Sequence, residues 1–426
     1  MNNYNAIFNN FDLKNTNYHV TKIDVSSPKP KVNKYELARG DGQVISYQNY
    51  GERLVTVTGS LKATTIDEMH DRLDVLKQNL VGINETLDVY IGSKKRRYLA
   101  TMDSFNYTTA GYFCEYEVVF TCDAFAKELT ESTLTFGTYT ANNTSYSNTI
   151  TGSYKAEPYI DFTVTNCISY IDAKYIQIKN ASLNQRIRFT KTWTFGDRVI
   201  VDGPNKTCTI YPSTRTVIDN MDSATGWTSG TATLSLDETN EIEGTGAVKA
   251  VQASAGQFCD ISRLNYATTI DLSSTIGTIL FPIFIPTPTA GTVASVRLTA
   301  GSDATLATNS LYWTITTEYD GSGLNTNAWN YIKLDLSTAA TATTGSPVRT
   351  AIKSFTIAVV GTAATMQLNG ALLDYIAVYK ASVVGETLDF EGTFPDLNLG
   401  TCALTVEDEF TARSIVITGN YYKRWL

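Results

Sequence analysis

The sequence predicts a mainly-β protein, and three observations predict it. Short apolar runs alternate with polar residues and stop at Gly, Pro, Asn or Asp, which is the period of half-buried strands. Aromatics make up 11% of the 426 residues, 25 of them Tyr, a usage that suits pleated surfaces. One stretch, 65–82, carries a convincing helical period. The expected architecture is a β-sandwich crossed by one helix, a second sandwich, and a third sandwich inserted into the second.

Composition narrows the function. The net charge of −8 argues against nucleic acid as a partner. Six cysteines lack metal-ligand spacing and are expected to be reduced. Only His19 and His70 are present, so zinc sites and His-based triads are not expected. No run of 18 apolar residues predicts a membrane helix, and the first residues predict no signal peptide. No constellation of nucleophile, base and acid stands out, so the reading is not an enzyme, and no cofactor is required.

The first unit is expected over 1–128. In "GERLVTVTGSL", Leu54, Val55, Val57 and Leu61 surround Thr56, Thr58 and Ser60 in a strand-like run. The helix follows, with Ile66, Met69, Leu73, Leu76 and Leu80 at helical spacing. Thr65 is its expected N-cap, Glu68 the far half of a capping box, and Gly82 the C-terminal stop. In "YFCEYEVVFTCD", Phe113, Tyr116, Val118 and Phe120 read as strand. Lys94, Lys95, Arg96 and Arg97 form the densest basic run, either a solvated hairpin tip or a rim that meets an acidic neighbour.

After a polar bridge near 129–154, the runs "EPYIDFTVTN", "AKYIQIKN", "QRIRFTKTWTFG" and "DRVIVDG" predict an antiparallel sandwich. That pattern breaks at 218 and resumes at 381. Between lie seven Lys/Arg against thirteen Asp/Glu, in a stretch dense in Thr, Ala, Ser and Gly. A composition shift inside one pattern is what an inserted domain leaves, and insertions survive at exposed loop tips. The expected division is 1–128, then 129–217 with 381–426, with 218–380 as the guest.

The host segments resemble the distal tail proteins of long-tailed bacteriophages. The resemblance rests on "RGDGQVISYQNYGERLVTVTGSL", the helix, "LDVYIGSKKRRYLATM", "RVIVDGPNKTCTI", "DFEGTFPDLNLGTCALTVE" and the terminal "YYKRWL". Phe394, Pro395, Leu397, Gly400, Tyr422 and Arg424 stand where the family carries its Phe-Pro-x-Leu-x-x-Gly turn and closing aromatic-basic strand, whereas Cys402 replaces a common Asn. The resemblance implies a tail-tube-like first domain that builds a homo-hexameric ring and a galectin-like second domain. The implied partners are the tail tube protein, a tail-associated or tail-fibre hub protein and receptor-binding proteins. The implied location is the tail tip of a virion assembled in the host cytoplasm.

The guest resembles a jelly-roll carbohydrate-binding module in "VIDNMDSATGWTSG", "TNEIEGTGAVKAVQ" and "LLDYIAVYK". Host cell-wall or surface polysaccharide is therefore its expected ligand. Alternation puts Leu311, Trp313 and Ile315 in the core and Tyr312 outside; likewise Ile332, Leu334 and Leu336 inside, with Trp329 and Tyr331 outside. Tyr312, Trp329 and Tyr331 are the expected sugar-stacking platform, since apolar sugar faces lie on flat rings; capping of a sheet edge is the bland alternative for Trp329. Trp227 reads as core. Asp219, Glu243 and Asp374 stand where such modules hold a structural calcium, which needs several hard oxygens converging. Other classes are a glycan-cleaving enzyme using a pair such as Asp389 and Glu391, or a surface adhesin.

Overall fold

Alternation decides which side chains enter the cores. In the strand Arg53–Lys62 every second residue is buried: Arg53, Val55, Val57 and Leu61, with Gly59 completing the set. Leu54, which the sequence groups with them, faces out. Gly59 is needed because a Cβ there would lie 2.3 Å from the Tyr116 ring, which occupies the space instead. The computed structural model describes residues 4–36, 43–167, 173–319, 321–410 and 413–426. Residues 39–42 of the first resemblance motif, 168–172 after Cys167, and Asp320 lie outside them.

Among the described residues, the regular structure is antiparallel strand apart from one α-helix and two 3-10 turns. The first sheet runs Phe11–Asp12, Tyr4–Phe8, Glu85–Ile91, Lys94–Ala110, Phe113–Cys122, Arg53–Lys62, Tyr18–Val25. The helix Ile66–Asn79 contributes Met69, Leu73 and Leu76 to its core. Thr65 caps the helix by accepting the Glu68 N–H at 3.2 Å. Two end signals differ from expectation. Glu68 reaches back to the Thr64 N–H at 2.7 Å, not to Thr65, and the helix closes at Leu80, whose N–H reaches Leu76 and Lys77 carbonyls. Leu80 is right-handed and Gly82 is not among the residues of positive φ, so Gly82 is no left-handed stop. Ile66, in the first turn, is exposed although its spacing groups it with Met69 and Leu73.

A second pair of sheets encloses Trp193, Phe162, Phe189 and Tyr139. Its seven-stranded sheet sets Arg413–Tyr421 beside Pro158–Cys167, then Arg198–Asp202, Thr207–Tyr211 and Glu386–Thr387. Its five-stranded sheet places Gly400–Asp408 between Thr144–Ile150 and Lys174–Asn180. Central strands thus come from both sides of the long middle segment. The last strand, Arg424–Trp425, crosses to the first sheet and pairs with Ala126–Lys127.

A third pair of sheets packs face to face around Phe281, Trp313, Phe355 and Trp227. One contains Ser213–Asp219, Ile376–Ala381, Thr278–Ile285, Asn369–Leu373, Ala247–Gln252, Ala232–Asp237 and Ala328–Asp335. The other contains Trp227–Thr228, Phe258–Arg263, Ser354–Gly361, Val293–Gly301, Ser310–Ile315 and Ala342–Thr344. All its strands fall within 213–381. Its first and last strands pair with each other, Ser213 opposite Ala381 and Val217 opposite Ala377.

The root of this third sandwich is packed against the second. Phe195, from the turn before Arg198–Asp202, joins Leu280, Tyr375, Ala377 and Tyr379 in a small core of its own. Its ring meets Tyr379 edge-on at 5.2 Å. Buried Asp197, two residues on, accepts the Ser213 N–H at 2.7 Å and pairs with Lys191 at 2.6 Å.

Candidate functional site

The aromatic trio is divided between two sheets. Tyr312 lies on Ser310–Ile315 and Trp329 and Tyr331 on Ala328–Asp335, strands of opposite sheets of the third sandwich. Leu311, Trp313 and Ile315 from one, and Ile332 and Leu334 from the other, meet in the same core. The residues between them therefore face outward on opposite sides. The single platform of Tyr312, Trp329 and Tyr331 is corrected: the three rings do not share a face.

Each ring is also engaged. Arg297 covers Tyr312 at 4.3 Å from the ring centroid. Trp329 stands edge-on to Phe284 at 5.8 Å. Tyr331 stands edge-on to Tyr319 at 6.0 Å, and burial raises its phenol pKa. Trp329 and Tyr331 remain half-buried neighbours on a strand that pairs with Thr278–Ile285. Trp227 and Trp313 are core, as expected, Trp313 from the alternation of its strand; the Trp313 indole donates to the Thr338 carbonyl at 3.2 Å.

The calcium expectation fails its fit test. Glu243 is held by both guanidinium nitrogens of Arg215, each at 2.8 Å. Asp219 pairs with Arg263 and accepts the Met221 N–H at 3.0 Å. Asp374 is fully buried and accepts N–H groups of Ile242 at 2.5 Å, Glu243 at 3.0 Å and Tyr375 at 2.6 Å. Burial pushes its carboxyl above the usual carboxylate range, while those three donors pull it down. Two carboxylates carry a fixed cation and the third is saturated by backbone, so no free oxygens converge. Among the described residues no group of three His, Cys, Asp or Glu could hold a metal ion.

Asp389 and Glu391, the carboxylates weighed for glycan cleavage, are both solvent-exposed. The basic run sits at a hairpin whose turn is Gly92-Ser93. Arg97, still partly exposed, makes two bonds to buried Asp88, at 2.6 and 2.7 Å. Arg96 lies over the Trp425 ring at 4.1 Å.

One concavity escaped the sequence reading. A cleft of about 680 Å³ opens at the root of the third sandwich, between the strands Ser213–Asp219 and Ile376–Ala381 and the segment 263–276. The volume falls in the range of small-ligand sites. Its signal was present: Thr214 and Thr216, paired with Lys380 and Val378, put polar residues on a face that is apolar further along.

Comparison with known proteins returns structural likeness only. No protein-family model matches, and no curated protein matches. Among solved structures, the chain is similar to the Dit protein of phage SPP1, described as a paradigm of hub adsorption apparatus in phages infecting Gram-positive bacteria, at TM-score 0.37 and 14% identity over 49% of this chain and 82% of that one. It is similar to a chain of the phage P2 baseplate in its activated conformation at TM-score 0.30 and 7% identity, covering 50% of this chain and 85% of that one. A galactanase from Phanerochaete chrysosporium follows at TM-score 0.23 and 8% identity, covering 76% and 78%. These scores are too low to carry an argument for function.

Proposed function

We propose that this chain is a structural component of a bacteriophage tail tip, a ring-forming adaptor between tail tube and adhesion device. Residues 1–128 are the tail-tube-like part. Residues 129–217 with 381–426 are a galectin-like sandwich, and 218–380 are an inserted carbohydrate-binding-module-like sandwich that meets host surface saccharide. The protein acts by assembly and adhesion, not by catalysis.

The observation that carries the reading is the antiparallel pairing of Ser213–Asp219 with Ile376–Ala381. It brings both ends of the long middle segment together at one edge of the third sandwich, and the host strands just before and after it, Thr207–Tyr211 and Glu386–Thr387, pair with each other as well. A module attached in that way is displayed without interrupting its carrier. The host motifs before and after the insertion support the tail-tip assignment, and the C-terminal strand Arg424–Trp425, paired with Ala126–Lys127 on the first sheet, ties carrier and ring part together. Val81 and Ile83, strongly exposed just past the helix, offer apolar surface for a neighbouring subunit.

Light scattering with negative-stain imaging tests this. The expected mass is six times 46.7 kDa, in rings with a central channel. A monomer at every concentration overturns the ring. Turnover in a reducing-sugar assay on bacterial cell walls overturns the non-catalytic reading.

A further inference from the structure

We propose that the ligand site of the inserted sandwich is the root cleft, and that it takes a neutral saccharide unit. This rests on the proposal that the insertion binds saccharide, and it places that binding away from Trp329 and Tyr331.

The cleft exists because the two facing layers part at this end. Val378 belongs to the core between the sheets. Beside it the same face carries Thr216, and one register further along Thr214 and Lys380, and opposite them stands no strand but the loop after Phe258–Arg263. An inter-sheet face is expected to be apolar where a partner covers it. Threonines and a lysine there mark a face built to meet polar groups.

The lining suits a polyol. Ile218, Ile270 and Val378 give apolar floor, against which the C–H face of a sugar ring can lie. Asp219 and Arg263, joined across the two sheets, stand at the wall. Their ion pair offers acceptor and donor atoms side by side, the pattern that vicinal hydroxyls match. Arg263 is pinned over Tyr266 at 4.8 Å, so the donors are pre-oriented. The Tyr266 hydroxyl lines the same cleft; it is shielded from water, lies beside Asp219 and has no well-formed hydrogen bond.

Charge selects the class. Arg263 and Lys380 balance Asp219 and Asp271, so the cleft carries no net charge. A uronic acid or a phosphorylated sugar would find no excess cation, whereas a neutral hexose or N-acetylhexosamine meets alternating donors and acceptors. The outward rings, in contrast, are already packed on Phe284 and Tyr319.

The test is saturation-transfer NMR and titration on the full chain with galactose, glucose, rhamnose, N-acetylglucosamine and glucuronate. Thr216→Trp and Thr268→Trp each fill the cleft from an exposed position and are checked for an unchanged melting temperature. We expect at least one neutral sugar to bind, glucuronate to bind at least tenfold more weakly, and both filled variants to lose at least tenfold in affinity. Trp329→Ala is expected to bind as the parent does. Sugar binding that survives both filled variants and falls with Trp329→Ala overturns the cleft while leaving the saccharide reading intact. No binding of any sugar, or of purified cell-wall polysaccharide, overturns both. Preference for glucuronate overturns the neutral class.

Discussion

The sandwich around Trp193 and the sandwich around Trp313 are assembled in opposite ways. The first needs Pro158–Cys167 beside Arg413–Tyr421, partners about 250 residues apart. The second takes every strand from one continuous stretch, 213–381. Both are antiparallel and both have large aromatics at the centre. The contrast teaches that closeness in sequence and closeness in space are separate properties of a sandwich. Closing a loop costs entropy that grows only with the logarithm of its length, so the host tolerates a whole module within it. The module stands to fold first, because its contacts are more local.

The largest expected effect comes from truncation after Lys380. It removes Gly400–Asp408 and Arg413–Tyr421, each paired on both sides in the host sheets. The host sandwich is expected to lose its cooperative transition by calorimetry while the inserted one keeps its own. Loss of both transitions would show that the two sandwiches are one folding unit. Phe281→Ala comes next. Its ring is fully buried in the inserted core, and the expected cost is about 3–5 kcal/mol, read in that sandwich's denaturant transition only. Leu73→Ala is expected to cost about 2–5 kcal/mol, confined to the first unit, where the helix meets the sheet. A shift of the inserted sandwich's midpoint by Leu73→Ala would break the independence of the regions.

A smaller effect concerns the root. Burial raises the Asp374 carboxyl pKa in the folded state. A raised folded pKa gives stability that is present below the unfolded value, about 3.9, and is lost as pH rises through the folded one. The melting temperature of Asp374→Asn relative to the parent is therefore expected to improve as pH climbs from about 4. The opposite trend would mean that the three backbone donors outweigh burial. Smallest of all, thiol reagents at pH 8 should leave Cys122, Cys208 and Cys259 unlabelled in the folded chain. Burial pushes each thiol up to about 12, and peptide mass mapping reads the result.

The strands were legible in the sequence because alternation is a local signal. Val55, Val57, Trp313 and Ile332 fell inside where it put them. So was the helix, though its ends were not. Glu68 had two neighbouring N–H groups within reach, and the backbone geometry chose Thr64. The candidate site was less legible. Alternation tells which face of a strand a residue takes, but not which sheet the strand joins. Tyr312 and Trp329 both point outward, from opposite sheets. The acid residues failed for a related reason. Asp219 and Glu243 were read without Arg263 and Arg215, which reach them from positions 44 and 28 residues away. The cleft depends on a loop standing where a strand would close the layer, and no single run of residues carries that.

The central claim is that 218–380 is a displayed module on an intact carrier. It is tested most directly by deleting 218–380, joining the ends with a short Gly-Ser turn, and measuring fold and mass together by circular dichroism melting and light scattering. A single cooperative β transition with the oligomeric state of the parent is the predicted result. Ser213 and Ala381, on either side of the deletion, stand opposite each other, so the freed residues 214–217 and a short linker have little distance to span. An aggregated or unfolded deletion product would contradict the account and make the middle segment part of the carrier's own core.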